Sequence, residues 1–253
     1  VDDNPDMTDF LKRTFEGYFK RIIIAGDGVE ALQLVRSHVP DIIVSDVMMP
    51  RMNGYKLCKT IKEDINISHI PVILLTARDD RQSQISGYKN GADGYLSKPF
   101  EVEMLMELIR NRLKNREHTK KRYLNAGLIP TPEESTISLT DETFLIKLNS
   151  IIQENIENSN LGIQFICQEV GLGRSSLYNK LKALTGMGAN EYISKLRIEK
   201  AITLISGTDM PFSEIAEKTG FTTPSYFSTA FKQYTGETPS QYKERKKKGL
   251  AGK

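Results

Sequence analysis

Residues 41–50 read DIIVSDVMMP. The apolar run Ile42, Ile43 and Val44 delivers one carboxylate, Asp46, to the point where the run stops and a proline turn begins. Such a run reads as a buried parallel strand, and open α/β sheets place their ligands at the carboxyl ends of such strands. Taken alone, an aspartate there is more often a helix cap or a solvated loop residue. Its company changes the weight. Asp2 and Asp3 stand at the front of the chain, Thr76 closes PVILLT (71–76), and Lys98 and Pro99 follow GYLS (94–97). Four separate stretches thus each end in a polar residue suited to phosphate or metal chemistry.

Between these runs the periodicity changes to that of helices. Met7, Phe10, Leu11, Phe15 and Tyr18 predict a helix over 4–18 with Pro5 in its first turn. KRIIIA (20–25) predicts a strand, and Val29, Leu32 and Val35 predict a helix over 28–38. The Asn53-Gly54 turn precedes a helix over 55–65, and 71–76 is the next buried strand. A weaker, more polar helix is expected over 78–90, ended by Gly91. A short strand over 93–97 leads to an amphipathic helix over 100–116 carrying Val102, Leu105, Leu108, Ile109 and Leu113. Strand alternating with helix implies a parallel sheet covered on both faces.

At 253 residues, with 39% hydrophobic and 26% charged residues, the chain has the composition of a globular protein long enough for two domains. No apolar stretch approaches the roughly 18 residues a membrane span needs, and no signal peptide opens the sequence, so a cytoplasmic location is expected, with no direct membrane contact. Cys58 and Cys167 read as reduced core residues, and His38, His69 and His118 lack metal-ligand spacing. The net charge of +3 hides an asymmetry: residues 1–110 hold 14 Lys/Arg against 17 Asp/Glu, and residues 161–253 hold 14 against 8. Only the basic half is suited to a polyanion.

Three carboxylates, Asp2, Asp3 and Asp46, crowded at one sheet edge repel one another unless a cation neutralises them. Mg²⁺, a hard ion with oxygen ligands, meets that need and leaves positions for waters and a phosphoryl oxygen. Beside it a carboxylate can attack a phosphoryl group and become an acyl phosphate, with Lys98 as a point charge and the Thr76 hydroxyl as a donor to the transferred group. No glycine-rich phosphate loop is present, so a nucleotide is not the expected donor.

VDDNPD (1–6), IIVSDVMMP (42–50), ILLTA (73–77) and GYLSKPF (94–100), in this order and spacing, resemble the receiver domain of two-component response regulators. The resemblance implies an α/β doubly wound, five-stranded parallel sheet of flavodoxin-like order 2-1-3-4-5, with Asp46 as phospho-acceptor. It implies Asp3 as direct metal ligand, Asp2 as a partly water-mediated one, and the Met48 carbonyl completing the Mg²⁺ site. Thr76 and Tyr95 would be the switch pair, and Lys98-Pro99 a cis bond that aims the lysine. A first strand of about five residues belongs ahead of Asp2 in such a sheet, so the sequence is expected to be a fragment of a longer polypeptide.

Beyond this receiver region (1–116), residues 117–140 read as a charged, proline-bearing linker, mobile and open to proteases. A helix over 141–156 follows, with Thr140 or Asp141 as its cap. Then comes an internal repeat: ICQEVGLGRSSLYNKLKALTG from Ile166 aligns with IAEKTGFTTPSYFSTAFKQYTG from Ile215. Leu177 matches Phe227, Leu181 matches Phe231, and each copy turns at a glycine, Gly171 or Gly220. Helix, glycine turn, helix is how a chain presents one helix to the DNA major groove while another braces it. A long helix over 189–206 separates the copies.

This half (141–245, with a basic tail over 246–253) resembles the AraC-type helix-turn-helix domain, most specifically in GFTTPSYFSTAFKQYTGETPSQYKE. The resemblance implies two recognition helices on double-stranded DNA. The outward polar residues are Arg174, Ser175, Ser176, Tyr178, Asn179 and Lys182 on the first, and Thr223, Ser225, Tyr226, Thr229, Lys232 and Gln233 on the second. Arg174 suits guanine and Asn179 adenine, whereas Lys182, Lys232 and Arg197 suit phosphates. The function expected is a DNA-binding transcription regulator that a cognate histidine kinase switches through Asp46, homodimeric when phosphorylated, with no separate substrate turnover. Two alternatives stand beside it: the output end of a hybrid sensor kinase, or a phosphorelay intermediate whose basic half docks protein.

Overall fold

The computed structural model describes residues 1–77, 91–125 and 138–250, with the backbone alone at 119, 121–125 and 248–250. The chain forms two compact units, one built on Val1–Asn125, the other on Phe144–Lys182 and Gly186–Lys253.

In the first unit, α1 (Pro5–Phe15) begins where the Asn4 side chain accepts from the amides of Asp6 and Met7, with Pro5 in the first turn. Helix α2 (Gly28–His38) is capped by Asp27, and α3 (Gly54–Glu63) by Asn53. Strands β1 (Ile43–Asp46), β2 (Val72–Ala77) and β3 (Gly94–Lys98) form a parallel sheet in that order, with Ile43 opposite Val72 and Leu74 opposite Tyr95. Ile43, Val72 and Leu74 pack on Val35, Leu57 and Ile61 from α2 and α3. On the other face Ile73, Leu75 and Leu96 pack on Phe15 from α1 and on Leu105 and Ile109 from α4 (Val102–Asn125). Alternation along each strand thus feeds two cores, as expected for a sheet covered on both sides.

Three expectations are corrected or bounded here. The sheet has three strands among the described residues, not five, because neither residues 1–3 nor 20–25 form a strand. Among the described residues Asp2 is bonded to the 20–25 segment, its N–H donating to the Ala25 carbonyl at 3.2 Å. A cavity of about 310 Å³, lined by Ile22, Val35, Val44 and Ile109 among others, adjoins both 20–25 and β1. Helix α4 runs on to Asn125, nine residues into the stretch read as linker, with Lys120 2.8 Å from Glu117 one turn away. The helix expected over 78–90 lies outside the described residues, as does most of the remaining linker.

The second unit is all helix. Helix α5 (Leu139–Glu154) is followed by α6 (Ile163–Val170), a turn at Gly171, and α7 (Arg174–Thr185). Central α8 (Ala189–Gly207) leads to α9 (Phe212–Lys218), a turn at Gly220, and α10 (Pro224–Thr235). Helix α11 (Pro239–Leu250) takes in most of the segment read as a tail. The repeat is real in space: Gly171 and Gly220 have φ of 72° and 73°, the left-handed region glycine enters without steric cost. Leu177, Leu181, Phe227 and Phe231 are all buried. A chain of rings, Phe221, Phe227, Phe231 and Tyr242, runs through the second copy at centroid spacings of 5.4, 5.7 and 5.6 Å. Edge-on aromatic contacts of this kind add to area burial.

Candidate functional site

Strand β1 ends at Asp46, whose N–H donates to the Val1 carbonyl at 2.8 Å. Val1 in turn donates to the Val44 carbonyl at 2.8 Å. This pairing brings the front of the chain against β1, and with it Asp2. Asp2 and Asp46 are 4% and 7% exposed. Between them lies Lys98 from the end of β3, its Nζ 2.5 Å from Asp46 Oδ1 and 2.9 Å from Asp2 Oδ2. The second Asp46 oxygen accepts from the Met48 amide at 2.9 Å. Burial pulls the Lys98 pKa down, but hydrogen bonds and charge from Asp46 and Asp2 outweigh it and hold the ammonium above the usual lysine range. The Lys98-Pro99 bond is cis.

Neighbouring residues in extended chain face opposite ways, so Asp3 is exposed where Asp2 is buried. Thr76, at the end of β2, is buried, and Tyr95 packs half-buried against the α2 and α3 side of the sheet. Leu74 opposes Tyr95 and Thr76 opposes Ser97, so Thr76 and Tyr95 share a sheet face two positions apart. Two further features escaped sequence reading. Gly54 lies so close to β1 that a Cβ would run into the Asp46 carbonyl oxygen and lie 3.0 Å from Val47 Cα. Arg51, with φ of 60°, pairs with buried Asp27, the cap of α2. Asn-Gly was legible as a turn; the close backbone approach was not.

Among the described residues no three acidic, histidine or cysteine side chains form a ready metal cage. The donor chemistry nonetheless suits Mg²⁺, which needs only one or two carboxylates besides water. Two buried carboxylates already converge on one positive charge, the Lys98 ammonium, with Asp3 next in sequence.

In the second unit α7 and α10 carry no acidic residue. Arg174, Ser175, Tyr178 and Lys182 are exposed on α7, and Ser176 and Asn179 are partly so. On the second copy Thr223, Ser225, Tyr226, Thr229, Lys232 and Gln233 are exposed. Thr223 caps α10 by accepting from the Tyr226 amide at 3.1 Å. Tyr178 and Tyr226 expose 55% and 53% of their surface, so each copy offers a large planar side chain beside its small polar ones. Arg197 departs from the expectation of a phosphate contact. It is 8% exposed on α8 and its Nη2 donates to the Asn158 carbonyl at 2.7 Å.

A profile of the response regulator receiver domain matches residues 1–110, and one of a helix-turn-helix domain matches 166–245. Response regulator MprA of Mycobacterium sp. (strain KMS) is 35% identical over 159 residues, covering 58% of this chain and 67% of that protein. The chain belongs to the response regulators. In it a receiver domain is joined to an AraC-type helix-turn-helix domain. Histidine kinase P4 of Formosa agariphila is 40% identical over 245 residues, 97% of this response regulator chain. The chain spans 18% of that kinase and about half of several other relatives it matches. The solved C-terminal domain of AraT, a response regulator from Geobacillus stearothermophilus, is 31% identical, covering 40% of this chain and 84% of that one, with a TM-score of 0.38. No helix among the described residues is long and apolar enough to cross a membrane.

Proposed function

We propose that this chain is a transcription regulator whose DNA binding is switched by phosphorylation of Asp46. The observation that carries this reading is a buried nucleophile held ready: Asp46 has Lys98 on one oxygen and the Met48 amide on the other. The donor is a phosphohistidine of a cognate kinase. Asp46 Oδ bonds to phosphorus as the P–N bond breaks, the imidazole takes up a proton, and an acyl phosphate remains. Lys98 neutralises the phosphoryl oxygens and the Thr76 hydroxyl donates to one of them. Asp2, Asp3, Asp46 and the Met48 carbonyl would hold Mg²⁺, which would supply positive charge to offset that of the phosphoryl group.

Thr76 moving toward that group makes room for Tyr95 on the same sheet face. This biases the surface around residues 79–116 toward a dimer, a population shift rather than a new fold; residues 79–90 of that surface lie outside those described. Dimerisation presents two basic domains to paired double-stranded DNA sites. Arg174, Ser175, Ser176, Tyr178 and Asn179, and Thr223, Ser225, Tyr226 and Thr229, face base edges or sugar, with Lys182 and Lys232 on phosphates. The setting is cytoplasmic.

The test is DNA affinity with and without beryllofluoride and Mg²⁺. Wild type should bind more tightly when treated and Asp46→Asn should not respond; equal affinity of treated and untreated wild type sinks the proposal. A second reading is favoured by the alignment of 97% of the chain with 18% of a histidine kinase: the chain is the output end of a hybrid kinase, and the phosphoryl donor lies on the same polypeptide. The intact mass of the native gene product separates the two. A phosphorelay role with a protein-docking basic half would instead leave DNA affinity without a steep salt dependence.

A further inference from the structure

The two helix-glycine-helix copies match in sequence and in backbone, yet their turns are not equivalent. A Cβ on Gly171 would meet no atom within 4 Å among the described residues. A Cβ on Gly220 would run into the Ile156 carbonyl oxygen and lie 2.8 Å from Arg197 Nη2. The second turn is therefore pressed against something the first is not, and Arg197 is half of it.

Arg197 projects from the middle of α8 and touches the second copy and the segment ahead of the first. Its Nη2 donates to the Asn158 carbonyl, in the segment that leads into α6 and so into the first copy. Its guanidinium carbon Cζ lies over the Phe221 ring, 5.9 Å from the centroid, directly after the Gly220 turn of the second copy. Phe221 in turn packs edge-on against Tyr226 in the first turn of α10, at 5.7 Å. One turn along α8, Lys200 pairs with Glu157 at 3.0 Å and reinforces the tie to the same entering segment. A guanidinium that donates a hydrogen bond to one group while its charge lies over an aromatic ring fixes two groups at once, which a lysine ammonium does less well.

We infer that Arg197 is a positioning residue for DNA recognition: it clamps the segment entering the first copy to the turn of the second and thereby sets the spacing between α7 and α10. This deepens the proposal that both helices read DNA, and it rests on that proposal. The sequence pattern assigned Arg197 to a phosphate; burial assigns it to the frame. A clamp of this kind matters only when both helices are engaged, since either helix alone can settle into its own groove without regard to the other.

The test uses the full chain and a duplex selected by it from a random pool. Three derivatives of that duplex are needed: one with the first segment scrambled, one with the second scrambled, and one with a base pair inserted between them. Arg197→Met should weaken binding to the intact duplex by about tenfold, the scale of a lost charge-assisted hydrogen bond, while leaving the scrambled duplexes bound as by wild type. The inserted base pair should penalise wild type heavily and the variant much less. Arg197→Lys, which keeps a donor for Asn158, should recover part of the loss and covers the case in which the methionine variant fails to fold. Equal weakening on intact and scrambled duplexes, with a shallower salt slope, would make Arg197 a phosphate contact and overturn the inference. If wild type binds intact and scrambled duplexes alike, two-helix reading itself fails, and the clamp with it.

Discussion

Lys98 bridges two carboxylates that would otherwise face each other across a buried edge. Replacing it with methionine keeps the length of the stem and removes the charge. At neutral pH, Lys98→Met should lower the stability of the first unit by about 1–2 kcal/mol, low in the range for charge-assisted bonds because water reaches part of the ammonium. The pH dependence has a definite sign. Asp46 and Asp2 raise the folded pKa of Lys98 above its usual value, so the contribution is full below the ordinary lysine range and is lost as pH rises through the elevated value. Urea midpoints of wild type and variant should therefore converge in strong alkali; a gap that stays constant would show that Lys98 acts by packing. The residues with chemistry to offer were readable in the sequence because each terminates an apolar run. Asp2 rather than Asp3 as the partner of Lys98 was not, since that depends on which way an extended residue faces.

Among the elements, the segment 20–25 is the informative failure. KRIIIA has strand composition, yet a parallel strand is stable only when a neighbour satisfies its backbone along its length. Among the described residues the backbone bond that ties this segment to a neighbour runs from the Asp2 N–H to the Ala25 carbonyl. Helix α4 erred in the other direction, running to Asn125 because the charged stretch after Arg116 is made of good helix formers without a breaker. A run of charge by itself does not mark a linker.

Taken as a whole, the molecule separates its two chemistries by charge. The acidic excess of 1–110 and the basic excess of 161–253 favour the second unit for any DNA contact; in the function proposed above, the first unit controls it. If phosphorylation acts through dimerisation, two basic units engage DNA where one did before. The slope of log affinity against log salt, on the order of −4 to −5 for a unit meeting about five phosphates, should then about double on beryllofluoride treatment. It should stay put in Asp46→Asn. A rise in affinity at constant slope would point to release of a single domain and would remove dimerisation from the account. Periodicity, the order of the polar run-ends and the internal repeat were enough to determine two domains, a parallel sheet, an aspartate at a strand end and paired helix-turn-helix copies, because these are local patterns written along the chain. Only the tertiary structure could decide that Lys98 spans Asp2 and Asp46, that Gly54 must lack a side chain, and that Arg197 faces inward. Each of those is set by what distant segments bring within a few ångströms, and no spacing along a sequence encodes that approach.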